Sequence, residues 1–207
     1  MNKKIIFYHV YSGTMNPCCL TKELYAIADE TWCCTGCKYP NRGVKAVDVT
    51  IQDNEIENRP INVVMGCGIP IAKREFLFSF GKNIVEKDLY LGKVFAENGS
   101  IMEDWITYRG KRKVIIRGTK HAAFGKCEKC GRNCYFAMGS RYLYPEPAQD
   151  TLLFESDLCG LVFHEELYNK INLGRVKKFI IDKLPVLEYP KDGFVELTSF
   201  YADGSDS

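Results

Sequence analysis

A chain of 207 residues with 46% hydrophobic and 13% aromatic side chains carries enough apolar surface for a substantial core, which excludes a disordered chain. A formal charge of +2 gives no global electrostatic case for a nucleic-acid or membrane partner, and no stretch approaches the roughly twenty apolar residues of a membrane span. After Met1-Asn2-Lys3-Lys4 the apolar run Ile5-Ile6-Phe7-Tyr8 stops at His9, too early for an export signal, so the expected setting is the cytoplasm with reduced thiols.

Along the chain, Lys4 to Val10 has the β-branched and aromatic content of an opening strand. Thr21 is a cap for a short helix whose apolar face is Leu24, Ile27 and Ala28. A cysteine knuckle follows, between Trp32 and Tyr39-Pro40. Val44 to Ile51 largely alternates and reads as a strand, and 53–60 as a polar loop. Ile61 to Met65 predicts a buried strand, Ile71 to Phe80 a helix closed by Gly81, and Leu89 to Phe95 another strand. Asn98-Gly99 is a hairpin signal. Tyr108 and Lys113 to Arg117 supply further strand candidates before a second knuckle. Thr151 to Phe154 predicts a strand, Phe163 to Leu173 a helix ended by Gly174, and Val176 to Leu187 a strand broken at Pro185. The expected class is therefore α+β, mostly antiparallel sheet with a few short helices. One domain is expected over 1–201, either one compact body or two similar, intimately packed halves at 1–100 and 101–201, with a disordered tail at 202–207.

The ten cysteines hold the strongest motif. Cys34-Thr35-Gly36-Cys37 and Cys127-Glu128-Lys129-Cys130-Gly131 are two Cys-x-x-Cys knuckles, lying within 33–38 and 127–134. The spacing lets both sulfurs of a knuckle reach one ion, and two knuckles complete a four-thiolate shell of the kind that holds structural zinc. Such a site clips distant segments together and leaves no open position for chemistry. Cys34, Cys37, Cys127 and Cys130 are thus the expected ligands, clipping the two halves. Cys33, Cys134 and His121 are alternative ligands by position. Gly36 and Gly131 allow the tight turns that such knuckles need. Cys18, Cys19, Cys67 and Cys159 stand in apolar or turn-like surroundings and read as small core hydrophobes.

Catalytic motifs are wanting. The three histidines are His9 in a strand, His121 near the second knuckle, and His164 before two glutamates without a second histidine at protease spacing. No G-x-S-x-G, phosphate-binding loop or dinucleotide fingerprint occurs, so no enzymatic activity is expected. Arg109 to Arg132 holds nine Lys or Arg and one acid, Glu128. Beside a knuckle this supports an alternative: a zinc-ribbon-like nucleic-acid-binding or regulatory protein. The near-neutral charge, and the lack of aromatics among the cations between Lys111 and Lys120, argue against nucleic acid and for an edge strand guarded by lysines.

The pattern as a whole resembles the double-CXXCG-motif proteins, a paralogous family of myxobacteria. The likeness rests on Trp32-Cys33-Cys34-Thr35-Gly36-Cys37 with Tyr39-Pro40, and on Cys127-Glu128-Lys129-Cys130-Gly131-Arg132. It continues through Thr151–Phe154, Val162-Phe163-His164-Glu165-Glu166-Leu167, Gly174-Arg175-Val176 and Leu184-Pro185-Val186. It spans roughly residues 30–188, with Lys38 where the family motif places Gly. Some of that family are described as immunity proteins for contact-delivered bacterial toxins. The resemblance implies the same four zinc ligands and a zinc-stabilised cytoplasmic immunity protein that binds and neutralises a cognate toxin. Tyr142, Tyr144 and Tyr168 are candidates for its binding surface.

Overall fold

A computed structural model describes residues 5–12, 17–18, 32–36, 41, 44–52, 56, 58–64, 69–131, 133–156, 160–171 and 179–189. The expected helix after Thr21, the ligand Cys37, Gly174 and the tail at 202–207 lie outside these residues. The described elements are β1 (Ile6–Ser12), β2 (Pro17–Cys18), β3 (Val49–Ile51), β4 (Ile61–Val64), β5 (Pro70–Lys73), α1 (Arg74–Phe78) and α2 (Lys82–Asp88). They continue with β6 (Leu89–Ala96), β7 (Ile101–Gly110), β8 (Lys113–Val114), β9 (Ile116–Lys126), β10 (Asn133–Leu143), β11 (Leu153–Ser156) and β12 (Leu161–His164). A 3₁₀ helix (Glu165–Lys170) and β13 (Phe179–Pro185) complete them. The class is α+β, rich in sheet and mostly antiparallel, as composition and patterning predicted. No described helix is long and apolar enough to cross a membrane.

The strands form a five-stranded sheet ordered β13-β1-β12-β11-β8, a six-stranded sheet ordered β2-β4-β5-β7-β6-β3, and the two-stranded hairpin β9-β10. Strand alternation gives each larger sheet two apolar faces. In β7, Ile106 and Tyr108 point into a core shared by both sheets and the helices, alongside Val10, Phe76, Phe80, Leu153 and Phe163. Trp105 points the other way, into a second cluster with Val49, Ile51, Ile71 and Val94. Phe7, Phe154 and Val162 form a third cluster on the outer face of the five-stranded sheet, which the hairpin base covers with Ile116 and Leu143.

Several expected elements change type. The stretch Ile71 to Phe80 is not one helix, because Ile71 and Ala72 pair with Thr107 and Ile106 of β7, and helix starts only at Arg74. Gly81, at φ +104°, stands at the start of α2 rather than at a helix end. The expected helix from Phe163 opens as strand, since Leu161, Val162 and Phe163 are all buried between two cores. A continuous apolar run suits a strand covered on both faces. Only Val49–Ile51 of the expected 44–51 strand is sheet, paired in parallel with β6. Asn98-Gly99 does turn a hairpin, with Gly99 at φ +83° and the Asn98 side chain accepting from the Ser100 N–H at 2.9 Å.

The sheets interleave the segments 1–100 and 101–201, as one compact body would. β1 pairs with β12 and β13, and β7 pairs with β5 and β6, so each large sheet draws on both halves. A boundary at residue 100 would cut the turn of the β6–β7 hairpin. The reason is the apolar pattern of β1, whose Phe7 and Val10 complete opposite faces of the C-terminal sheet.

The chain passes between the sheets at Gly110–Lys113. Here Arg109 of β7, 2% exposed, donates from Nε to the Glu155 carboxylate of β11 at 2.8 Å. The Gly110 N–H donates to the same oxygen at 3.0 Å, and the Lys113 ammonium stands 3.4 Å from the other. A Cβ on Gly110 would sit 2.5 Å from the Glu155 nitrogen, so only glycine fits the crossing. Removing one member of a buried pair strands the other charge and costs about 3–5 kcal/mol. Glu155→Ala is therefore expected to lower unfolding stability by about that amount in urea. A loss no larger than that of an exposed ion pair, about 1 kcal/mol, would refute the structural role of this pair.

Candidate metal centre

The second knuckle is the tip of the β9–β10 hairpin. Lys126 pairs with Asn133, and the turn between them holds the knuckle at 127–131. The Gly131 N–H closes it onto the Cys127 carbonyl at 2.8 Å, with Gly131 at φ +70°. An L side chain resists that conformation, which accounts for glycine after the second cysteine. Eleven residues of β9 can span roughly 35 Å, so the tip reaches far from the hairpin base.

The tip lands on the first knuckle. Cys33 is 1% exposed and packs into the Val49, Ile51, Ile71 and Trp105 cluster on the outer face of the six-stranded sheet. With Cys33 held inward, Cys34 faces the hairpin, and its Sγ lies 3.7 Å from Cys127 Sγ across 93 residues of chain. The thiols of Cys34, Cys127 and Cys130 all lie within 4.8 Å of one another, close enough to hold a metal ion. Exposure rises across the set, from buried Cys34 through half-buried Cys127 to exposed Cys130.

Polar groups align the two knuckles. The Gly36 N–H donates to Cys34 Sγ at 3.4 Å, and the Lys129 ammonium donates to the Thr35 hydroxyl at 2.7 Å. A Cβ on Gly36 would stand 2.8 Å from Cys127 Sγ, so glycine is what admits the partner sulfur. Backbone N–H groups of Cys130 and then Lys129 point at Cys127 and hold its thiol below the ordinary value, against a smaller opposing effect of burial. N–H groups aimed at a sulfur favour the thiolate, which is the metal-binding form.

Of the expected ligands, then, three converge. The fourth, Cys37, is outside the described residues. Cys33 is turned into the core, so it is a packing residue rather than a ligand. His121 sits on β9 opposite Ala137, six positions before Cys127 in extended chain, about 20 Å back along the strand. Cys134 is the second residue of β10, opposite Gly125. Among the described residues the metal-binding group is made of cysteines alone, with no carboxylate or imidazole.

Reading the sequence did not reveal the long hairpin, since Lys120, His121 and Gly125 break any apolar alternation in β9. It also missed Thr35 and Lys129 as a link between knuckles. His9 proves buried, with Nε2 3.2 Å from the Ser156 hydroxyl, which is likewise buried among strands. Comparisons of the chain with protein-family models, curated proteins and solved structures found no match in any of the three.

Gly36→Ala removes no ligand yet pushes on Cys127 Sγ, so it should lower metal retention against a chelator at least several-fold. Unchanged retention would show that the knuckles do not meet this closely. A lowered thiol value in the folded chain contributes stability above the unfolded thiol value, and that contribution is lost as pH falls through the lowered one. Cys127 in metal-free folded protein should accordingly react faster with iodoacetamide at neutral pH than it does in urea. Equal rates would mean that the two N–H groups do not act on it.

Proposed function

We propose that this chain is a zinc-stabilised bacterial immunity protein that binds and neutralises a cognate toxin. The metal reading is carried by the 3.7 Å contact between Cys34 and Cys127 sulfurs. A tetrahedron of zinc–thiolate bonds near 2.3 Å has sulfur–sulfur edges of about 3.8 Å, so the pair already stands at the required separation. Cys130 is the third ligand, and the Cys-x-x-Cys spacing makes Cys37 the fourth. An all-thiolate shell of this kind is closed and structural, and it supplies folding energy rather than chemistry.

The neutralising role is supported by the double-CXXCG resemblance and by one feature of the surface. Tyr168 is 44% exposed on the 3₁₀ helix and stacks on Tyr8 at 4.3 Å between centroids. Tyr8 stacks in turn on Phe163 of the main core at 5.6 Å. A rigidly backed, exposed tyrosine is the kind of anchor that dominates protein interfaces. Tyr142 is buried, which removes it from any binding surface. The toxin is expected to meet the face that Tyr168 occupies.

The nucleic-acid alternative draws less support, because five of the nine cations from Arg109 to Arg132 are buried or engaged within the fold. Arg109 and Arg117 are buried, Arg112 pairs with Asp150 at 2.6 Å, and Lys113 pairs with Glu155. Lys111 donates to the Glu86 carbonyl at 2.8 Å.

Two measurements test the proposal. Protein purified without added zinc should carry about one zinc per chain. Cys130→Ser should lose it and melt at a lower temperature. Screened by co-expression against candidate toxins from neighbouring genes, the chain should rescue growth from one of them. Tyr168→Ala should keep metal and fold while weakening toxin binding by about 2 kcal/mol, roughly thirty-fold. Rescue by no neighbouring toxin, together with affinity for duplex DNA that falls steeply with salt, would overturn the immunity reading.

A further inference from the structure

We propose that Cys34 and Cys127 are a redox pair, and that a disulfide between them takes over the clip when the metal is displaced by oxidation. The inference rests on the metal reading above and adds regulation to that site. Its basis is geometric. The two sulfurs are 3.7 Å apart, already in contact, and a disulfide bond of about 2.05 Å needs them to close by less than 2 Å. Gly36 leaves that approach open, since nothing larger than hydrogen stands between its Cα and Cys127 Sγ. Cys127 is half-buried and Cys130 exposed, so the cluster faces an oxidant in solution, whereas Cys34 is shielded behind it.

The chemistry balances with hydrogen peroxide as the oxidant. The Cys127 thiolate attacks one peroxide oxygen, the O–O bond breaks, and hydroxide leaves as water after taking a proton. This leaves Cys127 as a sulfenic acid. The Cys34 thiolate then attacks the Cys127 sulfur, the S–O bond breaks, and a second water leaves with a second proton. Two thiolates, one peroxide and two protons become one disulfide and two waters. Two of the ligands are consumed, so the metal leaves.

The product differs from ordinary oxidative damage at a zinc site. Pairing within one knuckle, Cys127 to Cys130, would release the hairpin tip from the 34–36 turn. Pairing across knuckles keeps the same two segments joined, 93 residues apart, by a covalent bond in place of the ion. Both states hold the fold, and they differ in charge, in metal and in the freedom of Cys130.

Trypsin makes the test direct. It places Cys127 in the peptide 127–129, Cys130 in 130–132, and Cys33, Cys34 and Cys37 together in 23–38. Zinc-loaded protein is treated with peroxide, released zinc is followed with a chromogenic chelator, and digests are mapped by fragmentation mass spectrometry without reduction. The expected result is loss of two thiols and release of the zinc, with a link between 127–129 and 23–38 that maps to Cys34. The oxidised protein should melt above the reduced, chelator-stripped protein. Cys130→Ser should still form the link, and Cys34→Ser should not. Zinc release with a 127–129 to 130–132 link, or with oxygen-added cysteines and no link, would overturn the inference and leave the metal centre standing. Reduced protein that holds no metal would overturn both.

Discussion

The Arg109–Glu155 pair governs how the rest of the molecule is arranged. It lies where the chain leaves the six-stranded sheet and enters the five-stranded one, and it joins β7 to β11 with both partners nearly dry. A buried charge is costly to leave without its partner, so the pair resists separation of the two strands. The Gly110 N–H and the Lys113 ammonium supply the remaining contacts to Glu155. The chain crosses from one sheet to the other there, and β8 and then the long hairpin depart from that point.

From that crossing, burial decides the path of the hairpin. Its base covers the outer face of the five-stranded sheet through Ile116 and Leu143. Its tip meets the segment that covers the outer face of the six-stranded sheet through Cys33, Val47 and Ile56. Gly92 permits the latter cover, because a Cβ there would stand 2.6 Å from the Val47 carbonyl oxygen. The thiol cluster thus ties together the outer layers of two sheets that the ion pair joins from within. A metal ion is well suited to that task. Bound to these thiols, an ion would join the two segments by several strong bonds.

The base of the hairpin is tied as firmly as its tip. Arg141 of β10 donates to Asp182 of β13 at 2.8 Å, and Tyr11 of β1 donates to the same carboxylate at 3.1 Å. Arg117 of β9 is buried, with its Nε directed at the Tyr144 carbonyl at 3.3 Å. These contacts, with the buried Arg109, give two arginines of the basic segment a place inside the fold.

The sequence by itself determined the α+β class, the opening strand, the Asn98-Gly99 hairpin and three converging knuckle cysteines, Cys34, Cys127 and Cys130. Each is a local property: side-chain alternation, a turn that needs left-handed glycine, or the reach of two sulfurs three residues apart. It could not tell strand from helix at Ile71–Lys73 or Leu161–Phe163, since a run buried on both faces has no periodicity to read. Nor could it decide between Cys33 and Cys34, adjacent residues of the same chemistry. Only the tertiary structure settled that, by turning Cys33 into an apolar cluster and leaving Cys34 to meet Cys127. The same holds for the interleaving of the two halves and for the buried arginines. Which partner a long-range group finds depends on where distant strands pack, and that information is held in no single stretch of the chain.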